Sequence, residues 1–397
     1  MMKGCSAMSE KKVKVGVIGL GNMGSGHLSL ISQIPEMELA ACCDILPERA
    51  EKYGKQYAVP YFTDADELIK SGLVEAVTIA VPHYSHTPIA ISALNHNLHV
   101  LTEKPVGVHK NDVLKMIQAH KEHPDRVFAA MFQMRLTPIY IKLRELIQQG
   151  AFGKIMRINW IVTSWFRSQA YYDSGTWRAT WKGEGGGVLL NQSPHHIDLF
   201  QWLFGMPSTV HANCAIGKYH RIEVEDEVTA FFEYPDGKTA VFITSTGEAP
   251  GTNRLEITCD RGRVVVENDK IEFLRNEITT TDFREHTDVL FGFPPYWVVT
   301  IPTQPDPGPG HKGILENFAS AILHGTELIA HAEEGLNSVE LANAMLYSSL
   351  THSDVKLPLD GDAFWAKLQE LIEHSSFQKT EGKNMTAGDD FSKSFAN

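Results

Sequence analysis

The chain has 397 residues, of which 43% are hydrophobic and 21% charged, and a formal net charge of −12. This length exceeds one ordinary core and predicts two domains. The acidic balance argues against nucleic acid or an anionic membrane as partner, since either favours a basic face.

The start of the chain, residues 1–12, is polar and lacks the apolar core of a signal peptide. No stretch approaches the roughly 18 apolar residues of a membrane span. Cys5, Cys42, Cys43, Cys214 and Cys259 are odd in number and form no C-x-x-C. They read as reduced thiols of a cytoplasmic protein, with no metal site.

From Lys12 to about Arg135 strands and helices alternate. Val13–Ile18 is a strand, Asn22–Gln33 an amphipathic helix, and Glu38–Asp44 a strand ending in an acid. Pro47–Tyr57 is a helix with proline in its first turn. Ala76–Val81 is a strand and Ser85–Asn97 a helix, for which Ser85 is a candidate cap. Leu98–Leu101 is a strand, Lys110–Glu122 a helix and Val127–Met131 a strand. This alternation predicts parallel strands with right-handed crossovers, a dinucleotide-binding domain over residues 11–135.

After a helix at Pro138–Gln149 the pattern changes. Alternating runs at Ile155–Ser164, Thr209–Ile216, Val228–Tyr234, Thr239–Ser245, Arg254–Cys259, Val264–Glu267 and Ile271–Arg275 predict a mostly antiparallel sheet. Prolines from Pro294 to Pro309 predict a long irregular loop. Helices return at Ile314–Leu323 and Gly335–Leu350. Residues 136–374 form the second, α/β domain in this reading, and 380–397 a loose polar tail.

Gly19-x-Gly21-x-x-Gly24 follows a strand and opens a helix whose first residues are Asn22 and Met23. Asp44 stands twenty residues beyond Gly24. The glycines permit a tight turn and close approach of a pyrophosphate to the helix N-terminus. Asp44 suits ribose hydroxyls and opposes a 2′-phosphate, so NAD is expected rather than NADP. His83 and His86 follow the next strand at the same sheet edge, and Glu103-Lys104-Pro105 closes the one after, so both join the expected cofactor side. Lys104 points to proton-transfer chemistry near the nicotinamide, and Lys104-Pro105 is a candidate cis bond.

The second constellation runs from Gly185-Gly186-Gly187 through Asn191 and Ser193-Pro194-His195-His196 to Asp198. Asn191, His195 and Asp198 share one face at helical spacing, but Pro194 clashes inside a regular helix. A helix restarting with Ser193 as cap and Pro194 at its first position resolves this. It puts His195 in the first turn, where the helix dipole disfavours imidazolium and keeps the ring ready to accept a proton. Asp198 orients or packs rather than reacts, and with Asn191 it is counted among the expected substrate-binding residues. Four of the seven tryptophans lie between Trp160 and Trp181, beside Phe166, Tyr171 and Tyr172. Trp160 reads as core. Trp165, Arg167, Trp177 and Arg178 read as substrate contacts, because aromatic faces with fork-shaped donors suit a sugar ring.

Together the E-K-P triplet and the glycine run followed by Asn191-x-x-x-His195-x-x-Asp198 resemble the Gfo/Idh/MocA family of NAD(P)-dependent oxidoreductases, over about Val13 to Leu371. The resemblance implies a Rossmann domain and a C-terminal α/β domain with a large open sheet that often forms dimer or tetramer contacts. It also implies Lys104 and His195 as the catalytic pair. Many members carry Asp where this chain has Asn191, and an amide can neither take a proton nor tune the histidine by charge. Trp165-Phe166-Arg167, Tyr171-Tyr172, Trp177-Arg178 and Asn191-Gln192 look like the branch acting on glycosides and anhydrosugars, often at C3.

The expected function is an NAD-dependent sugar dehydrogenase. A ring hydroxyl binds between Lys104 and His195, with His195 as base and Lys104 donating to the developing carbonyl oxygen. The alternatives are an inositol dehydrogenase and an NAD-dependent glycosidase that oxidises C3 transiently. A nucleotide-sensing regulator is opposed by retention of both Lys104 and His195.

Overall fold

A computed structural model describes residues 11–304 and 306–379. The expected tail, 380–397, and Cys5 lie outside the described residues. The first half forms a six-stranded parallel sheet. Its strands are β1 (Val13–Ile18), β2 (Met37–Cys43), β3 (Tyr61–Phe62), β4 (Ala76–Ile79), β5 (His99–Thr102) and β6 (Phe128–Ala130), in the order 3-2-1-4-5-6. The chain reverses direction of travel across the sheet between β1 and β4, which opens a crevice at their C-terminal ends. Strands buried on both faces explain the near-continuous apolar runs. Cys42 and Cys43 face opposite sides and join different cores.

The second sheet has nine strands in the order β14-β13-β12-β11-β7-β10-β9-β8-β15. They are β7 (Ile155–Val162), β8 (Thr209–Ile216), β9 (Glu225–Glu233), β10 (Thr239–Ser245), β11 (Asn253–Cys259), β12 (Gly262–Glu267), β13 (Lys270–Asn276), β14 (Tyr296–Ile301) and β15 (Val355–Lys356). All neighbours are antiparallel except β7 and β10. One face carries the core, with Trp160, Phe200, Phe232 and Phe242 fully buried. The other alternates outward through residues such as His211, Asn213, Thr229 and Phe231. That period of two is the pattern of a sheet packed on one side.

Three expectations need correction. The proline-rich segment 294–309 is not all loop, because Tyr296–Ile301 pairs with β13 as the edge strand. Proline is tolerated beside an edge strand, and Pro294, Pro295 and Pro302 fall just outside this one. The helix predicted from Ser85 begins at His83 with Pro82 as its cap residue, so Ser85 lies in its first turn. The helix Gly310–His324 packs on the first sheet, and Ile314, Leu315 and Phe318 join the core with β1. The two cores are therefore not two contiguous lengths of chain.

Candidate active site

The first sheet presents a turn shaped by glycine. Gly19 has φ +87°, and a β-carbon there would come within 2.4 Å of the Ala80 carbonyl oxygen. A β-carbon on Gly24 would stand 1.7 Å from the Gly19 carbonyl oxygen, so only glycine fits. Helix Asn22–Ile31 starts after Gly21 with no side-chain cap, leaving its first N–H groups uncapped. Nothing lies within 4 Å of where a Gly21 β-carbon would be. Uncapped donors facing open space fit a pyrophosphate. Asn22 and Met23 are half-buried at the rim.

Asp44 follows β2 and is buried. It accepts hydrogen bonds from the backbone N–H of Leu20 at 2.8 Å and of Leu46 at 2.9 Å, and pairs with Arg49 at 3.1 Å. The carboxylate is thus aimed by the glycine turn itself and keeps lone pairs for ribose hydroxyls. Arg49 beside it was not expected from the sequence.

His86 spans two carbonyl oxygens, Val81 and Pro105, each 2.8 Å from a ring nitrogen. It braces the β4 exit against the Lys104–Pro105 turn, whose peptide bond is cis. Both nitrogens being engaged, His86 is packing beneath the site. His83 is buried, meets the Glu184 carbonyl oxygen at 3.2 Å and lies edge-on to Trp177, ring centres 5.5 Å apart. Glu103 is buried against His27 at 3.0 Å. Despite the opposing effect of burial, the His27 hydrogen bond and nearby positive groups pull its carboxyl down to about 2.

Lys104 reaches across to the second half of the molecule, its Nζ donating to the Asn191 carbonyl oxygen at 2.7 Å. Burial, with the charges of Arg167 and Arg178 adding, lowers its pKa to about 8, while Glu103 and Glu184 act to raise it. Asn191 does not share the helix face predicted for it. It lies on the loop before helix Pro194–Phe204, whose cap position is Ser193 and whose first residue is Pro194. Its Nδ2 donates to Glu184, and its Oδ1 accepts from the Tyr171 hydroxyl at 3.3 Å. Arg178 donates to the same hydroxyl at 2.8 Å and Gln192 at 3.2 Å. The loop is held from below by Glu225, which accepts from the N–H groups of Gly187 at 2.7 Å and Leu189 at 3.1 Å.

His195 lies in the first turn of its helix and is buried. Burial, then the charge of Lys104, holds its pKa well below the usual histidine range, so the ring is neutral near pH 7. Its Nε2 is 3.1 Å from the side-chain nitrogen of Gln133. Asp198 is not open to a substrate: it is 1% exposed and gripped by Arg135 through bonds of 2.8 and 2.6 Å, with Gln201 at 3.0 Å. Trp165 is also core, 7% exposed, its indole N–H donating to His196 at 3.2 Å. Arg167 stands over the rings of Trp165 and Tyr171, and Arg178 over Tyr171 and Trp177.

The structure thus gathers Lys104, Asn191, Tyr171, Arg178, Trp177 and His83 in one hydrogen-bonded or ring-packed cluster, with His195 within electrostatic reach of Lys104. Gln133, Glu184 and Arg135 were missed. Glu184 directly precedes the glycine run and Gln133 follows the last strand of the first sheet. Only their position next to recognised features could have marked them.

Residues 13–131 match the family described as an oxidoreductase family with NAD-binding Rossmann fold, and residues 140–265 match the GFO/IDH/MocA C-terminal domain. Inositol 2-dehydrogenase of Salmonella typhimurium is 31% identical over 150 residues, 37% of this chain and 45% of that enzyme. The chain thus spans about half the length of this curated relative. The WlbA dehydrogenase from Bordetella pertussis, solved in complex with NADH and UDP-GlcNAcA, superposes with a TM-score of 0.75 at 25% identity, covering 88% of this chain and all of that one (100%). Levoglucosan dehydrogenase, solved with NADH and levoglucosan, shares the fold at a TM-score of 0.73 and 21% identity, over 88% and 100% of the two chains.

Proposed function

The chain belongs to the Gfo/Idh/MocA family of oxidoreductases and carries its NAD-binding Rossmann fold, and from that premise we propose that it is an NAD-dependent dehydrogenase oxidising a ring hydroxyl, at C3, of a sugar, glycoside or anhydrosugar. The observation carrying this reading is the Lys104 bridge to the Asn191 carbonyl, which brings the strand-end lysine of one sheet to the loop that launches His195. When bound, the nicotinamide supplies the hydride acceptor. The glycine turn and the start of helix Asn22–Ile31 hold the pyrophosphate, and Asp44 holds the adenosine ribose and favours NAD over NADP. Lys104 donates a hydrogen bond to the oxygen that becomes a carbonyl. His195, kept neutral by burial and by Lys104, takes the hydroxyl proton. Trp177, Arg178 and Tyr171 offer ring faces and donors to the sugar, and Arg167 extends them. Residues 11–135 supply the cofactor side together with helix Gly310–His324, and the rest of 136–374 supplies the substrate side.

Support for the substrate class comes from that aromatic and arginine lining together with the sugar-derived ligands named for the structural neighbours. The assembly we propose is a homodimer or homotetramer through the second sheet, whose edge strand exposes Trp297 and Val298 and is preceded by the exposed Leu290 and Phe291. Buried free thiols at Cys42, Cys43, Cys214 and Cys259 fit a reducing cytoplasm. A panel of glucosides, inositols and anhydrosugars, followed by NADH absorbance and product NMR, tests the reading. A 3-keto sugar formed with stoichiometric NADH supports it. Aglycone release with flat NADH absorbance would instead mark redox-assisted glycoside cleavage. Turnover confined to inositols would move the substrate class to cyclitols.

A further inference from the structure

Gln133 sits on the short turn Gln133–Leu136 that follows β6, and it is 7% exposed. Its amide meets His195 Nε2 at 3.1 Å. Two residues on, Arg135 grips Asp198, three residues beyond His195 on the same helix. One turn leaving the cofactor sheet therefore holds the helix of the base at two buried points. Arg135 is itself fixed by Glu334 and by the Ile329 carbonyl oxygen at 3.2 Å.

From this pairing we infer that Gln133 is a positioning residue that selects the reactive nitrogen of His195: its carbonyl accepts Nε2–H and leaves Nδ1 as the base. The inference rests on the reading of His195 as the base. A neutral imidazole has one N–H and one lone pair. Nε2 is occupied by Gln133, whereas Nδ1 is buried and has no hydrogen-bond partner among the described residues. The two ends of an amide have nearly the same shape, so the chemistry decides which faces the ring. With the NH2 toward Nε2, the amide would cap the lone pair and put the proton on Nδ1, and no nitrogen could accept a proton. With the carbonyl toward Nε2, Nδ1 carries the lone pair that no described residue engages. The far end of the amide, Oε1, is buried and has no hydrogen-bond partner among the described residues.

A glutamine also orients without charge. The groups acting electrostatically on His195 are Lys104, His311 and His196, and each disfavours imidazolium. A carboxylate at position 133 would oppose all three. The base is thus aimed by an amide in a site whose neighbouring loop residue, Asn191, is an amide as well.

The test is 15N NMR of histidine-labelled, NAD-loaded protein, with His195 assigned by its loss in His195→Ala, together with pH profiles of kcat. We expect His195 as the Nε2–H tautomer in the natural protein. Gln133→Met should mix the tautomers and lower kcat by a part of the roughly 10²–10⁴-fold that a general base supplies, with KM for NAD unchanged. Gln133→Glu should raise the pKa of His195 by about one to three units, read directly from its 15N shifts. A natural protein with His195 in the Nδ1–H form overturns the inference. So do variants with unchanged tautomer and pH profile while His195→Ala is inactive. An active His195→Ala would instead remove the base reading itself, and the tautomer result distinguishes the two failures. Should Gln133→Met not fold, the natural protein and the Glu variant still decide.

Discussion

The cofactor edge of the first sheet and the substrate side of the second half are built by different means. The cofactor edge uses backbone: glycines that permit one turn, an uncapped helix start, and an acid aimed by two backbone N–H groups. The substrate side uses side chains from distant segments, joined as Glu184, Asn191, Tyr171, Arg178 and Lys104. A backbone site depends on local sequence and tolerates replacement of the groups around it. A side-chain network depends on every member and on the charges it encloses. Substitutions on the two sides should therefore fail differently.

The largest effect is expected on the substrate side. His195→Ala should reduce turnover to background while the melting temperature and NAD affinity stay near those of the natural protein, measured by thermal denaturation and fluorescence titration. Residual turnover near the natural level would transfer the base role elsewhere. Lys104→Ala should lower kcat by roughly 10²–10⁴-fold, the range for a positioned acid–base or oxyanion-type donor, and leave NAD binding within a few-fold. The intact enzyme should also lose activity as pH rises through about 8, where Lys104 gives up its proton. Its acid limb should lie below the ordinary histidine range, because only the neutral ring accepts a proton and that form already dominates near pH 7. A flat alkaline limb would separate Lys104 from the chemistry.

The cofactor side should answer through affinity instead. Asp44→Ser with Ile45→Arg should move preference from NAD toward NADP with kcat on the better cofactor little changed. Loss of hydrogen bonds to a charged group costs about 1.5–3 kcal/mol, roughly ten- to a hundredfold in NAD affinity. Arg49, freed from the carboxylate it pairs with, then adds its charge to that of the introduced guanidinium at the ribose. A natural protein using NADP at least as well as NAD would contradict the role given to Asp44.

The same contrast explains how far the sequence could be read. Glycine spacing, Asp44 and the strand-end Lys104 are local signals, and the parallel order of the first sheet follows from alternation of strands and helices. The restart of a helix at Pro194 was legible because proline excludes the alternative. The edge strand Tyr296–Ile301 was hidden by flanking prolines, since its pairing with β13 is a tertiary fact. Trp165 and Asp198 were misread for a related reason. Composition shows an aromatic or an acid but not its partner, and His196 and Arg135 come from elsewhere in the chain. Glu184 and Gln133 have no motif of their own, so only the folded chain shows that they touch Asn191 and His195.

The smallest effect is expected at Asn191, an amide where the family resemblance implies a carboxylate. Asn191→Asp introduces a carboxylate four residues before His195, and a carboxylate coupled to the ring favours imidazolium and raises the apparent pKa of the acid limb. In this protein, however, the side chain at 191 faces Glu184, a buried carboxyl whose pKa burial already raises. Two carboxylates in contact cannot both ionise cheaply, so the pair would share one proton and carry one charge, as Glu184 alone does when ionised. The acid limb of Asn191→Asp should consequently move up by less than about one pH unit, by the same reasoning. Removing the competition should release the effect: Asn191→Asp combined with Glu184→Gln should shift the limb further than Asn191→Asp alone. Profiles of kcat/KM against pH for the natural protein, the two single variants and the double variant measure this. An acid limb unmoved in the double variant would mean that position 191 is not coupled to His195, and that the substrate-side network ends at Lys104.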